Sequence, residues 1–170
     1  MVLGLTNVTK KCNVWGGSLN FCIIFSLGVI DIAKNLKQLR HLTLDHTKTT
    51  DKGFVSVAKE LPRLLSIGLE GCKISDTGLT TASQYLGNLE EFNFGSQLIT
   101  DDGVVFALRH CKALTDLTLT FCPKISIVSV EHAVQNLPCL THLGIEQCSQ
   151  VSLNGIDAIR QHSNVTISSF

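Results

Sequence analysis

The sequence predicts an α/β solenoid of about six repeats of 25–26 residues, with a parallel sheet on the inner face and helices on the outer face. Three observations carry that expectation. Segments of the form L-x-x-L-x-L occur as LRHLTL (39–44), LLSIGL (64–69), LEEFNF (89–94), LTDLTL (114–119) and LTHLGI (140–145), with starts spaced 25, 25, 25 and 26. A polar turn follows, clearest as TTDKGF (49–54), ISDTGL (74–79) and ITDDGV (99–104). Then comes a helical pattern, such as GFVSVAKEL (53–61) or GVVFALRHC (103–111).

Each L-x-x-L-x-L segment reads as a short strand whose alternate apolar residues face one way. One strand and one helix per repeat cannot close a core alone, so the units must stack. The single extra residue falls at 122–124, and a degraded copy, VTISSF, occupies 165–170. Upstream, the apolar run LNFCIIFSLGVI (19–30) follows two lysines and has the look of a signal-peptide core. It is too short for a transmembrane helix, which needs about 20 apolar residues. Register favours a repeat: stepping back from Leu44, Cys72, Ile74 and Gly78 by one or two periods lands on Leu19, Cys22, Ile24 and Gly28. Residues 19–36 are therefore read as the first repeat and 19–170 as the repeat domain. Residues 1–18 are an unassigned entry segment, in which Val14 fits a strand that Gly16 and Gly17 interrupt. A signal core at 19–30 would instead make the chain a secreted arc.

In the D-x-G turn, Ser or Thr and Asp stand just before a helix, where their oxygens are expected to cap the orphan N–H groups of its first turn. The Asp charge also suits the positive end of the helix dipole. Gly28, Gly53, Gly78, Gly103 and Gly155 recur three residues after the Ser or Thr, or in register with it, and Ser129 replaces the glycine once. The turn lacks the alternating acids and terminal Glu of a calcium loop and the G-K-[ST] of a phosphate loop.

A column formed by Cys22, Thr47, Cys72, Gln97, Cys122 and Cys148 follows each strand by two residues. Its small members are expected to pack inward and donate weak hydrogen bonds to the loop backbone. Only Cys122 and Cys148 occupy adjacent repeats, and a zinc site would need further ligands. Cys111 fits a core position of its helix, while Cys12 and Cys139 fall outside both patterns. No motif ties a nucleophile to any of the six histidines, so no enzymatic activity, cofactor or metal is expected.

Composition narrows the classes further. With 170 residues, 44 percent of them hydrophobic, the chain can bury one domain's core. Fourteen basic and 14 acidic residues cancel, so no sequence-wide charge draws it to nucleic acid or an anionic membrane. Seven cysteines without a C-x-x-C pair point to reduced thiols in the cytosol or nucleus.

The combined pattern resembles the cysteine-containing leucine-rich repeat. LLSIGLEGCKISDTGL (64–79) carries it most completely, and its signature runs through about 150 of the 170 residues. The resemblance implies a leucine-rich-repeat solenoid of the kind found in F-box proteins, whose arcs hold substrates for a cullin-type ubiquitin ligase. Similar repeats occur in proteins without an F-box, and no F-box-like segment is seen here. The expectation is then a recognition arc alone, a fragment or a divergent relative, ending on a strand with no polar cap. A scaffolding repeat protein unconnected with ubiquitin is the alternative.

Within L-x-x-L-x-L-x-x-C, the third, fifth, seventh and eighth residues are expected on the concave sheet. The third position gives His41, Ser66, Glu91, Asp116 and His142, and the fifth includes Asn93 and Thr118. The seventh gives Asp45, Glu70, Gly95, Thr120 and Glu146, and the eighth His46, Gly71, Ser96, Phe121 and Gln147. These positions hold five carboxylates and no Lys or Arg, since the bases lie near turns (Lys48, Lys73, Lys124) and on helices (Lys59, Arg109). An acidic concave face follows, with His41, His46 and His142 adding pH dependence and Phe121 offering an aromatic anchor. Its natural ligand is a basic peptide or protein surface; a phosphate backbone would be repelled, so neither nucleic acid nor membrane is expected.

Overall fold

In the computed structural model, which describes residues 13–15, 18–20 and 26–169, strands and helices alternate along the chain. Their order is β1 (Asn13–Trp15), β2 (Ser18–Asn20), α1 (Ser26–Asn35), β3 (His41–Thr43), α2 (Asp51–Glu60), β4 (Ser66–Glu70) and α3 (Asp76–Ser83). There follow β5 (Glu91–Gly95), α4 (Asp101–Leu108), β6 (Asp116–Thr120), α5 (Ile127–Asn136), β7 (His142–Glu146), α6 (Leu153–His162) and β8 (Thr166–Ser169). The strands form one sheet in sequence order. Strands β1 and β2 pair antiparallel, and every later neighbour is parallel. This is the α/β repeat solenoid that the period predicts.

The core lies between sheet and helices. In each repeat the first, fourth and sixth residues of L-x-x-L-x-L are buried, from Leu39, Leu42 and Leu44 through Leu140, Leu143 and Ile145. Each such side chain contributes about 1.5–3 kcal/mol by leaving water. The helices meet them with residues spaced i, i+3, i+4, as in Phe54, Val57 and Ala58 of α2. Where the leucines become aromatic, Phe92 packs on Phe94 at 4.7 Å and on Phe54 at 6.1 Å between ring centroids.

The D-x-G turn does something other than the expected capping. Thr50, Ser75 and Thr100 stand at the helix starts in extended conformation, but their side chains make no cap hydrogen bond. Instead each Asp reaches to the next repeat. Asp51 accepts from the Ser75 N–H at 2.8 Å and the Ser75 hydroxyl at 2.6 Å. Asp76 accepts from Thr100 in the same way, at 2.9 and 2.7 Å. Asp101 accepts from the Ser126 N–H at 3.0 Å, the Ser126 hydroxyl at 2.6 Å and the Ser129 hydroxyl at 2.5 Å. Among the described residues, only Ser126 and Ser152 cap their own helices, accepting from Val128 and Gly155. The expected dipole term stands, because Asp51, Asp76 and Asp101 each occupy a first helical turn.

This ladder explains the glycine better than turn geometry does. A Cβ at Gly78 would lie 2.1 Å from Asp51 Oδ1, and one at Gly103 would lie 2.1 Å from Asp76 Oδ1. The preceding repeat's carboxylate occupies the space, so the side chain must be absent. Ser129 is admitted at the equivalent position because its hydroxyl becomes a further donor to Asp101. The ladder then stops, since Ile127 stands where an Asp would, and its Cδ1 lies 2.9 Å from a Cβ built on Gly155. Between α5 and α6, beyond the last rung, a groove of about 300 Å³ opens beside Val134, Ile159 and His162.

The N-terminal register needs a correction. Leu19 pairs with Leu42, two residues from the expected match with Leu44, while the third helical residue stays in period as Gly28. The connection from strand to helix is thus two residues shorter than in the next repeat. The sheet also begins before residue 19, with β1 and Ser18. The Cys22 and Ile24 assignments lie outside the described residues.

Two predictions follow from the ladder. Gly103→Ala should destabilise the chain by about 1–3 kcal/mol through overpacking against Asp76, while Gly103→Ser should recover about 1 kcal/mol by imitating Ser129. Urea unfolding midpoints test this; equal losses for both variants would refute the hydroxyl's role. Burial tends to raise the Asp101 pKa, but the hydrogen bonds from Ser126 and Ser129 together outweigh it and hold the carboxyl below the usual range. Its contribution is therefore full above the unfolded Asp value of about 3.9 and lost as pH falls through the lower folded value. Asp101→Asn should cost about 1–3 kcal/mol at neutral pH, and its gap from wild type should close in strong acid. A gap independent of pH would contradict the assignment.

Candidate functional site

Strand pairing brings the third and fifth positions into continuous columns. His41, Ser66, Glu91, Asp116, His142 and Thr166 align across the sheet, as do Thr43, Gly68, Asn93, Thr118, Gly144 and Ser168. At the centre, Glu91 is directly opposite Asp116. Glu91 and Asn93 are exposed, while Asp116 is half-buried. Like charges placed opposite one another on neighbouring strands repel. Among the described residues neither carboxylate has an ion-pair partner. On either side of this pair, Ser66 and His142 are half-buried, and His142 Nε2 lies 3.3 Å from the Ser168 hydroxyl. His41 and Thr118 are half-buried as well.

The seventh position is less available than its composition suggests. Asp45 is half-buried and its Oδ1 accepts from the Glu70 N–H at 2.8 Å. Its carboxylate also fills the space over Gly68, where a Cβ would lie 2.8 Å from Oδ1. Asp45 is thus part of the framework, not a free binding group. Glu70 faces the exposed His46 ring at 3.7 Å, which leaves Glu146, half-buried, as the further carboxylate of this row. Thr120 and Gly95 are buried and drop out of the surface.

At the eighth position the chain turns through the left-handed region: φ is 57° at His46, 66° at Gly71, 52° at Phe121 and 53° at Gln147. Outside glycine this conformation costs about 1–2 kcal/mol per residue. Ser96 does not share it. Gln97, at the small-residue column, is too large and polar to pack inward and is exposed. Ser96 turns in instead, buried, with its hydroxyl donating to the Ile74 carbonyl at 2.7 Å and accepting from the Leu98 N–H. It is therefore a core residue, contrary to the concave placement expected for it.

The consequence is a notch of about 460 Å³ at the strand ends, between the levels of His46 and Phe121. Gly71, Gly95, Cys72 and Ser96 contribute to it, together with Lys73, Gln97 and Leu98. Leu98 and Phe121 are 51% and 48% exposed. Phe121 was legible in the sequence, but Leu98 was missed. Its signal was the exchange of an apolar residue into a position held by Lys48 and Lys73 in the two preceding repeats.

The cysteine column packs as expected where it is described. Cys72 donates to the Leu44 carbonyl at 3.1 Å, Cys122 to Thr120 at 3.4 Å and Cys148 to Leu119 at 3.5 Å. Thr47 takes the same place and bonds Thr49 and Cys72. Burial pushes the Cys111 thiol up to about 12, in keeping with a core side chain. The free thiols of Cys122 and Cys148 interact, and that interaction pushes Cys122 up and Cys148 down. Among the described residues, no three His, Cys, Asp or Glu side chains group as a metal site, and no helix is long and apolar enough to cross a membrane.

No protein-family model and no curated protein matches the chain. Solved structures do match it. One is the crystal structure of a TLR13–ssRNA13 complex, 19% identical with a TM-score of 0.46, the match covering 74% of this chain and 20% of that one. The chain thus spans about a fifth of the length of that neighbour.

The strain at Phe121 yields a prediction. Phe121→Gly should leave the unfolding midpoint unchanged or raised, because relief of about 1–2 kcal/mol of backbone strain offsets the added chain entropy and the loss of a half-exposed ring. A loss exceeding about 1 kcal/mol in thermal or urea unfolding would show that the ring serves the fold.

Proposed function

We propose that this chain is a noncatalytic protein-interaction module whose concave sheet holds a basic peptide or protein surface. The observation that carries this reading is the Glu91–Asp116 pair, two like charges set opposite each other at the sheet centre with no ion-paired cation among the described residues. A basic ligand supplies that cation, and its binding relieves the repulsion. A phosphate backbone meets the same pair unfavourably, which favours a basic polypeptide as the ligand.

The wider setting we propose is a substrate-recognition arc similar to those of SCF-type ubiquitin ligase adaptors, in the cytosol or nucleus. The cysteine-containing repeat signature supports the first part, and seven cysteines without a C-x-x-C pair or regular framework support the second. A scaffolding arc unconnected with ubiquitin uses the same face and differs only in its company.

The test is proximity labelling and pull-down with wild type and with Glu91→Lys plus Asp116→Lys. The reversal should remove the wild-type partners by about tenfold or more, and raised salt should weaken their capture from wild type. An unchanged partner set would defeat the concave-face reading. Co-purification of the full-length gene product with a Skp1-like adaptor and a cullin supports the ubiquitin setting; absence of both leaves the scaffold.

A further inference from the structure

We infer that the notch between His46 and Phe121 is an anchor site for one aromatic side chain of a basic peptide that lies across the concave sheet. This rests on the reading of that sheet as a basic-peptide surface and adds the element that selects among basic peptides. The cavity arises from two successive levels that present no side chain at the rim: Gly71 has none, and the Ser96 hydroxyl is turned into the core. With strands about 4.8 Å apart, the backbones of the two walls stand about 14 Å from each other, wide enough to admit a ring.

The floor cannot be filled by larger residues of the chain itself. A Cβ at Gly71 would lie 2.7 Å from His46 Nδ1 on a backbone at φ +66°, and one at Gly95 would lie 2.2 Å from the Thr120 carbonyl oxygen. Opposite the His46 ring, the Phe121 side of the notch is apolar where solvent would favour polarity. Leu98 replaces the lysine of the two preceding repeats, and Phe121 is an aromatic held in a backbone conformation that glycine adopts at lower cost. Two exposed apolar side chains beside an open cavity fit an aromatic anchor of the kind that dominates peptide recognition.

Charge sets the rest of the ligand. The Glu70 stem lies beside the notch floor, its Cγ 3.3 Å from a Cβ built on Gly95. Glu91 and Asp116 stand five residues from the eighth position along their strands, about 16 Å away, a span of about five extended residues. Lys73 sits at the notch too, and disfavours a basic residue on that lip. The ligand is therefore an extended segment with its aromatic at the rim, one base beside it that displaces the His46 ring from Glu70, and further bases about five residues away over Glu91 and Asp116.

Fluorescence anisotropy with the labelled peptide Arg-Arg-Gly-Ser-Gly-Lys-Trp-Gly, its reverse-order counterpart, and the Trp→Ala form of each tests this. At least one Trp peptide should bind wild type about tenfold more tightly than its Ala form. In Phe121→Gly plus Leu98→Lys, with folding verified by thermal unfolding, that ratio should fall to about one. Glu91→Lys plus Asp116→Lys should weaken both forms and leave the ratio intact. Equal affinity of the Trp and Ala forms, a ratio that survives the notch variant, or no binding by any peptide would overturn the anchor. If equal Trp and Ala forms still lose affinity on charge reversal, the notch fails and the acidic face stands. If a Trp preference persists without sensitivity to charge reversal, the acidic face fails instead.

Discussion

The structure depends on a carboxylate that belongs to one repeat in sequence and to the next in space. Asp51, Asp76 and Asp101 each take the N–H and hydroxyl of the Ser or Thr that opens the following helix. A solenoid has only nearest-neighbour contacts, so its cooperativity is the strength of such inter-repeat terms. Burying leucines favours stacking but is indifferent to small slips and rotations between coils. Two charge-assisted hydrogen bonds from one carboxylate to adjacent donors are directional, and they fix how far each helix is set back from the one before.

That constraint reaches the sheet through the repeat length. With helices locked at intervals of 25 residues, the strands come into register without drift, and residues at one position form a straight column. The convex ladder is thus what makes the concave columns possible. Where one repeat departs locally, at Gln97, the neighbours hold the frame and the disturbance stays confined to the rim. The buried Ser96 hydroxyl restores the inward contact, and the missing rim side chain becomes the notch. Past Asp101 the ladder gives way to an apolar contact at Ile127, and the α5–α6 gap shows the looser fit.

The period, strand positions and core were legible because leucine spacing reports directly on burial. The partner of the D-x-G aspartate was not. Residues 25 apart occupy equivalent positions of neighbouring coils, so each Asp has a Ser or Thr beside it in its own repeat and the equivalent Ser or Thr close by in the next. Only the glycine hinted at the answer, since own-helix capping gives no reason to exclude a Cβ two residues into the helix. The concave face was legible as an alternation and misjudged in its details. Asp45 reads as a surface acid, but the side-chain-free backbone at Gly68 draws it down onto the sheet. Ser96 reads as surface because the expected register assumes every loop turns alike, and a glutamine in a small-residue column was the sign that one would not.

These cases separate two populations of carboxylate that composition treats as one. Asp45, Asp51, Asp76 and Asp101 are half-buried and each accepts at least one hydrogen bond from a donor in the next repeat. Removing their charge acts on the fold. Among the described residues Glu91 and Asp116 have no such donors, and they face each other at paired positions of neighbouring strands, where like charges repel. Side chains satisfied within the molecule leave little free energy for a partner, because binding must first break what is already made. An unoffset pair retains the whole of its interaction for an incoming cation. The acidic charge of the D-x-G motif is therefore consumed in stacking, and the binding we propose rests on the acids that the fold leaves unserved.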